Sequence, residues 1–300
     1  MSIRVTNSML TTNVLADLRN VTSQLLQTQN RLSSGKQIQK PSDDPFGTAR
    51  ALQLRSDLAA NEQYQKNVND ASAWQNTTDT ALGDIGGLTL RARDLVVQAG
   101  NGSLSSSDRL TIAAVIDQII ESVKTAGNTE YAGTYVFSGS QTTTPPYKFG
   151  ADDTYYGDAA QLNREIGPGG VQVQLNVTGS SVIGDGSTPG SLLTTLRTLS
   201  TDLKTNNEAA LQTTDLAALD TANDTITETR AAVGARSDRL TTALNRLQQL
   251  QESTTQLLSN TEDADMAQLS VDFSQQQAVY TAALKAGAGI IQPSLMDFLH

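Results

Sequence analysis

Apolar side chains recur at alternating steps of four and three residues near both ends of the chain, which is the spacing of a coiled coil. Near the start, this stripe consists of Val14, Leu18, Val21, Leu25, Thr28 and Leu32. Near the end, a first stripe consists of Leu240, Leu244, Leu247, Gln251, Thr254 and Leu258, and a second of Met266, Leu269, Phe273, Gln276, Tyr280, Ala283 and Gly287. The pattern predicts long helices at both ends.

A helix with one narrow apolar stripe has little stability alone in water, because most helical stability comes from packing. The N-terminal helix therefore needs the C-terminal helices as partners. Residues 1–60 carry seven basic and four acidic side chains, whereas residues 191–300 carry seven basic and thirteen acidic ones. This asymmetry favours the pairing slightly, by ~0.5 kcal/mol per exposed ion pair. We expect the two ends of the chain to pack together.

The helical pattern continues inward from both ends. One long helix is predicted to begin near Pro45 and to extend to Ala99, and a third helix to begin near Ser107. Helical spacing returns after Pro189. We expect the last helix to loosen at its end, where the chain has Gly287, Gly289 and Pro293.

The middle of the chain has a different period. From Tyr131 to Ser138 apolar and smaller residues alternate, as in a half-buried strand. Shorter strand candidates lie at 147–150, 154–156 and 171–177, separated by Gly, Pro and Asp. We therefore predict a small β-rich domain in the middle of a mainly helical chain.

The predicted fold class is mainly α with a small β-rich insertion, an elongated rod of long N- and C-terminal helices packed as a coiled coil or helical bundle. The expected domains are an N-terminal helix at 1–40, a helical rod domain at 41–138 that ends in a β-strand, a β-rich domain at 139–188, the second part of the rod at 189–260, and a C-terminal helix at 261–300.

Composition agrees with a thin core, since 38% of residues are hydrophobic but only 4% are aromatic. The net charge of -10 argues against binding to nucleic acid, which requires clustered Lys and Arg, and against an anionic membrane surface. We find no apolar run long enough to span a membrane and no apolar signal-peptide core near the start. Secretion by the general pathway is therefore not expected.

Cysteine is absent and the only histidine is His300. Disulfides, zinc sites of His and Cys, Ser-His-Asp triads and Cys-His dyads therefore lack their residues. We expect no metal site, no cofactor and no catalytic residues, and hence a protein that is not an enzyme.

Residues 31–52, RLSSGKQIQKPSDDPFGTARAL, contain two patterns that resemble catalytic motifs. A phosphate-binding loop would need Gly at Asn30 and Ser or Thr at Gln37, and it would follow a strand rather than a helix. Ser33 and Lys36 match Ser-x-x-Lys, but the partner motifs of that enzyme class are missing.

A joint between two helices explains the same residues. Gly35 suits a left-handed helix C-terminus, with Lys36 near the negative end of the helix dipole, and Pro41 prevents continuation. The next helix can be capped by Ser42, Asp43 or Asp44 and can begin at Pro45. The predicted helix joint consists of Gly35, Pro41, Asp43, Asp44 and Pro45.

Other candidate sites have ordinary structural explanations. Residues 152–158 place Asp152 and Gly157 in calcium-loop register, but most remaining ligand positions are occupied by other residue types, so a turn is favoured. The acidic run at 262–265 fits the first turn of the last helix. Trp74 and the tyrosines of the predicted strand fit a core.

Five motifs, taken in order, resemble the flagellin superfamily: LSSGK at 32–36, PSDDP at 41–45, YAGTYVFSG at 131–139, VGARSDRL at 233–240 and TEDADMAQ at 261–268. The resemblance extends over about 240 of the 300 residues. PSDDP and the ending SLMDFLH are more similar to the hook–filament junction proteins of that superfamily than to flagellin itself.

This resemblance implies a structural protein of the bacterial flagellum that joins the hook to the flagellin filament. It implies export by the flagellar type III apparatus to an extracellular location, with an export chaperone, a hook-associated protein on the hook side, flagellin on the filament side and further copies of itself in a ring or tubular layer as partners. The terminal helices would line the inner tube and assemble by burying their stripes. The expected assembly residues are Val14, Leu18, Val21, Leu25, Leu269, Phe273, Tyr280 and Leu284.

Alternatives remain open at this point. These apolar residues could stabilise only an intramolecular coiled coil. The chain could be flagellin, the bulk subunit of the filament, or a secreted adhesin or binding module whose β-rich domain engages a surface. A carboxylate-metal hydrolase would be a third alternative, and metal-dependent turnover would reveal it.

Overall fold

The computed structural model describes residues 7–100 and 104–296, and in these ranges the chain forms eight helices and four short strands. The helices are α1 (Asn7–Ser34), α2 (Pro45–Ala99), α3 (Ser106–Gly127), α4 (Gly179–Val182), α5 (Leu192–Thr205), α6 (Glu208–Gln212), α7 (Thr214–Glu262) and α8 (Met266–Met296). The strands are β1 (Glu130–Tyr131), β2 (Thr134–Tyr135), β3 (Asn163–Gly167) and β4 (Val171–Gln174). The mainly α fold class is therefore confirmed.

The chain divides into two compact units. The terminal unit comprises Met1–Ala60 and Gln251–His300, and the middle unit comprises Asn61–Leu250. In the terminal unit α1 packs against α8, so the expected pairing of the two ends is confirmed. The two units contain different cores, and each is described separately below.

The middle unit has a continuous apolar core. Helices α3 and α5 pack against each other, and completely buried side chains from both helices meet there. They include Ile116, Ile120, Val123, Leu196 and Leu199. Burying one such side chain contributes about 1.5–3 kcal/mol, so this unit has ample apolar burial of its own.

Local signals determine where the helices of the middle unit begin and end. Helix α3 begins after a capping box, in which the Ser105 side chain accepts from the Asp108 backbone and the Asp108 side chain accepts from the Ser105 backbone. Helix α5 ends at Asn206, whose φ of 57° is in the left-handed region. The predicted bounds of α2, from Pro45 to Ala99, are confirmed.

The predicted strand over 131–138 is wrong after its first residues. The chain reverses at Ala132 (φ 48°) and Gly133 (φ 79°), so that β1 and β2 pair as an antiparallel hairpin. Positive φ at two successive residues is the geometry of a tight hairpin turn, and it prevents one continuous strand. Period-two spacing alone does not distinguish the two arrangements.

The other strand predictions are partly wrong. Residues 171–174 form β4, but its partner β3 was not predicted, and residues 147–150 and 154–156 form no strand. Side chains hold the backbone of this segment instead. The buried Lys124 amine donates to the carbonyls of Gly150 and Asp152 at 2.7 and 2.8 Å and pairs with Asp153 at 2.7 Å. These contacts use carbonyls that a strand would pair with a neighbouring strand.

The expectation that α8 loosens at its end is also wrong, because the helix continues through Gly287 to Met296. Gly287 is buried, and a Cβ atom built on it would lie 3.3 Å from Cγ1 of Val14. The absent side chain lets α8 approach α1 closely, so packing offsets the low helix propensity of glycine.

One buried carboxylate in the middle unit predicts a pH dependence. Asp215 is only 3% exposed, and burial together with the neighbouring Asp202 raises the pKa of Asp215 to about 6. The folded state therefore retains a proton between about pH 4 and pH 6 that the unfolded state has released. This contribution to stability is complete below pH 4 and is lost as the pH rises through 6.

We predict that Asp215→Asn raises the free energy of unfolding at pH 7.5 by about 1 kcal/mol, because the amide never has to be buried as a charge. The gain should shrink towards pH 4. Urea unfolding followed by fluorescence of Trp74, the single Trp and a residue of the same unit, measures both values. Asp224→Asn, at an exposed position of α7, is the control, and an equal gain at both pH values would contradict the prediction.

Candidate assembly interface

The first helix joint of the terminal unit lies between α1 and α2. Gly35 has a φ of 69°, and its N–H donates to the carbonyl of Arg31 at 2.9 Å. A carboxylate oxygen of Asp43 accepts from the backbone of Gln39 and Lys40, both at 3.2 Å. These contacts close a short loop directly after α1.

The same joint determines how α2 begins. Asp44 Oδ1 accepts from the N–H of Gly47 at 3.0 Å, and Pro45 is the first residue of the helix. A Cβ atom on Gly47 would lie within 2.5 Å of side-chain atoms of Asp44 and Ile38, so a larger residue would require these side chains to move. The carboxylate cap and the fixed φ of proline make this helix start rigid.

The second joint lies between α7 and α8. Glu262 is the last residue of α7, and Asp265 accepts from the backbone of Ala267 and Gln268 at 2.9 and 3.1 Å at the start of α8. The acidic run at 262–265 was expected in the first turn of the last helix. Only Asp265 has the role of a cap there, while Glu262 belongs to the preceding helix and points elsewhere.

The two joints bind each other through Glu262. Its side chain is 8% exposed, and its carboxylate pairs with Lys36 Nζ at 2.7 Å and with Arg55. The backbone adds two hydrogen bonds, from Gln37 N to the Glu262 carbonyl at 2.8 Å and from Ala264 N to the Gly35 carbonyl at 3.0 Å. We call Lys36, Arg55 and Glu262 the joint clasp. Sequence reasoning placed Lys36 beside the end of α1 and missed this partner.

The expected assembly residues on α1 are partly covered within one copy. Val14, Leu18, Val21 and Leu25 are half-buried in the antiparallel packing of α1 with α8. On α8, Leu269 is buried, Phe273 and Tyr280 are half-buried, and Leu284 is 43% exposed. The predicted stripes of α1 and α8 therefore pack mainly against each other within one copy.

Other apolar residues of the same two helices remain exposed. Leu15 and Leu26 on α1 are 45% and 53% exposed, and Val271 and Val279 on α8 are 61% and 47% exposed. They lie outside the predicted stripes, so the search for one coiled-coil repeat missed them. Apolar side chains at positions that a coiled-coil repeat normally leaves polar would have indicated this second apolar surface. We call these four residues the outer apolar face.

Catalytic and metal-binding alternatives find little support in this geometry. Lys36, of the Ser-x-x-Lys pattern, is bound to Glu262. The Tyr156 hydroxyl donates to Asp152 at 2.7 Å and, as the main cause, holds the pKa of that carboxyl at about 2. Asp153 is paired with Lys124 and Arg197. Among the described residues, no three His, Cys, Asp or Glu side chains form a metal-binding group.

Two further sequence expectations concern membranes and Trp74. Within residues 7–100 and 104–296, every helix is too short or too polar to cross a membrane.

Trp74 is 7% exposed and forms an edge-to-face contact with Tyr131, with ring centroids 5.9 Å apart. This ring is part of the core of the middle unit, as predicted.

Comparison with known protein families matches both ends of the chain. The model of the bacterial flagellin N-terminal helical region matches residues 5–142, and that of the C-terminal helical region matches residues 216–299. The two matched regions include both joints, the helices α1, α2, α3 and α8, and all but the first two residues of α7.

Individual proteins match over nearly the whole length. The chain is 26% identical to flagellar hook-associated protein 3 of Salmonella typhimurium, over 94% of this chain and 95% of that protein. It is also 26% identical to flagellin of Bacillus subtilis, over 94% of both chains. The crystal structure of Bacillus cereus FlgL has the same fold, with a TM-score of 0.59 and 24% identity over 69% of this chain and 99% of that one.

The joint clasp yields a prediction about the terminal unit. Glu262→Gln should speed hydrogen exchange of the backbone amides in both joints about tenfold, since a neutral amide binds Lys36 and Arg55 more weakly than the carboxylate does. Hydrogen-exchange mass spectrometry of the full chain measures this, with the exposed Glu252→Gln in α7 as the control. Unchanged protection at residues 35–37 and 262–264 would show that the ion pairs contribute nothing there.

Proposed function

Since the chain belongs to the flagellin superfamily, we propose that it joins the hook of the bacterial flagellum to the flagellin filament. At a coarser level, it is a structural protein of the flagellum, and its relatives are structural flagellar proteins rather than enzymes. The proposed partners are a hook-associated protein on one side, flagellin on the other, an export chaperone, and further copies of this chain in a ring or tubular layer. Export through the flagellar apparatus to the extracellular flagellum is part of the proposal.

The observation that carries an assembly role is the outer apolar face of α1 and α8. Four aliphatic side chains there remain between 45% and 61% exposed, although the two helices already cover part of their predicted stripes. Transfer of this area out of water would favour association by roughly 25 cal/mol per Å². We propose that residues 1–40 and 261–300 form an inner tube layer, in which neighbouring copies cover this face, and that residues 139–188 form an outer domain.

Two sequence features favour the junction over the bulk filament. The segment from Pro41 to Pro45 and the ending SLMDFLH are more similar to the junction subgroup than to flagellin. The match to hook-associated protein 3 extends over almost all of both chains, which is compatible with the same role but does not by itself distinguish it from flagellin.

Flagellin is the second candidate, because flagellin of Bacillus subtilis matches the same share of the chain at the same identity. The two roles differ in amount and position. A junction protein is confined to one end of the filament, whereas flagellin forms its whole length.

Deleting the gene separates the two candidates. The junction role predicts cells that keep their hooks, lose their filaments and release flagellin monomers into the medium, all reversed by the gene on a plasmid. Loss of the bulk subunit itself would identify this chain as flagellin. Intact flagella would contradict both candidates.

The outer apolar face can be tested in that deletion strain. Leu26→Asp combined with Val271→Asp should abolish filament retention while circular dichroism of the purified chain stays unchanged, because both side chains are exposed in one copy. Leu90→Asp, at a position of the middle unit that is 49% exposed, is the matched control and should retain filaments.

Substitutions in the predicted stripes of α1 and α8 should give a different result in the same deletion strain. Leu18→Asp with Phe273→Asp should reduce the helix content of the purified chain as well, since these residues are half-buried between α1 and α8. Normal filaments with this variant would contradict a role of the stripes, and normal filaments with the exposed pair would contradict a role of the outer face.

A further inference from the structure

Phe46 is the most exposed large apolar side chain among the described residues, at 89%. It is the second residue of α2, directly after the Asp44 cap and Pro45, and before Gly47, where a Cβ atom would require the Asp44 and Ile38 side chains to move. Its backbone is therefore fixed, and the ring projects from a rigid helix start. An aromatic side chain on a fixed backbone loses only the freedom of two χ angles on binding, which makes it an efficient anchor for a partner.

An open cleft of about 540 Å³ lies at the same joint. Its walls include apolar side chains from the loop and from the first turns of α2, namely Ile38, Pro41, Ala51 and Leu52. Leu52 is 58% exposed although it lines the cleft, so the apolar wall is only partly covered within one copy. The volume lies within the range of specific binding sites.

The charges of the cleft and of the Phe46 segment are complementary. The cleft is lined by Lys36, Lys40 and Arg55 with Glu262 as its one carboxylate, which leaves two positive charges in excess. Phe46 follows Asp43 and Asp44, and Arg50 one turn further along offsets one of those two negative charges. A second copy of this chain thus presents an aromatic ring in an acidic setting, which fits an apolar cleft with a basic rim.

We propose that residues 43–46 of one copy dock into the joint cleft of a neighbouring copy, with Phe46 against Leu52 and the Asp side chains facing the basic rim. The contact joins two different surfaces of the same chain, so it can repeat around a ring of copies. This inference rests on the proposed assembly of the chain in the flagellum and names the contact between its subunits. Flagellin and the hook-side protein are the competing occupants of the cleft.

Disulfide crosslinking tests the contact with low background, because the natural chain contains no cysteine. Phe46→Cys and Leu52→Cys variants are co-expressed in cells that lack the natural gene and treated with copper phenanthroline once flagella have formed. We expect a crosslinked species of twice the chain mass of 31.8 kDa on a non-reducing gel, at least tenfold stronger than with either variant alone.

Gln53→Cys is the matched control for Leu52→Cys. It is the next residue of α2, exposed, and outside the lining of the cleft. Paired with Phe46→Cys, it should give less than a tenth of the crosslinked product. Equal yields with the two positions would mean that the copies are merely close, and would overturn docking in the cleft.

Two other outcomes separate this inference from the proposed function. If the variants retain filaments but no dimer forms, or if Leu52→Cys is crosslinked only to a cysteine introduced into flagellin or the hook-side protein, docking of a second copy is wrong while the junction role stands. If the natural gene on a plasmid does not restore filaments to the deletion strain, the proposed function itself fails.

Discussion

The terminal unit depends on one buried carboxylate. Glu262 ends α7 with its side chain almost covered, where an unpaired charge would be costly. Lys36 and Arg55 compensate it from positions 226 and 207 residues away in the sequence, and both still reach solvent. The clasp therefore connects the joint after α1 to the joint before α8. The helices α1 and α8 extend in opposite directions from these two connected joints. Val14 therefore lies opposite Gly287 at the far end of the pair.

The two units differ in how completely they bury their apolar residues. In the middle unit, side chains such as Ile120 and Leu196 are fully buried within one copy. In the terminal unit, two helices cover only the stripe between them, because each helix presents more than one face. Leu26 and Val271 consequently remain exposed. A unit built in this way leaves apolar side chains in contact with water, and the proposed assembly would cover them.

Aromatic residues are scarce, and the structure concentrates several of them where helices are interrupted. Tyr147 and Tyr155 pack with ring centroids 5.6 Å apart, and their hydroxyls donate to the carbonyls of Gly184 and Phe137. Together with Lys124, they organise a segment that has almost no sheet. Side-chain hydrogen bonds to backbone carbonyls thus replace strand pairing as the main constraint in this region.

The sequence by itself predicted the long helices and the joint after α1, because residues such as Gly35 and Pro45 act on neighbouring backbone groups. It also predicted the pairing of the two ends, since a helix with one apolar stripe is stable only when that stripe packs against another helix. The partners of Glu262, the pairing of β3 with β4 and the exposure of Leu26 and Phe46 were decided only by the tertiary structure. These features depend on groups far apart in the chain, or on which face of a helix its neighbour covers. No local propensity encodes such contacts, because their free energy exists only once the helices have packed.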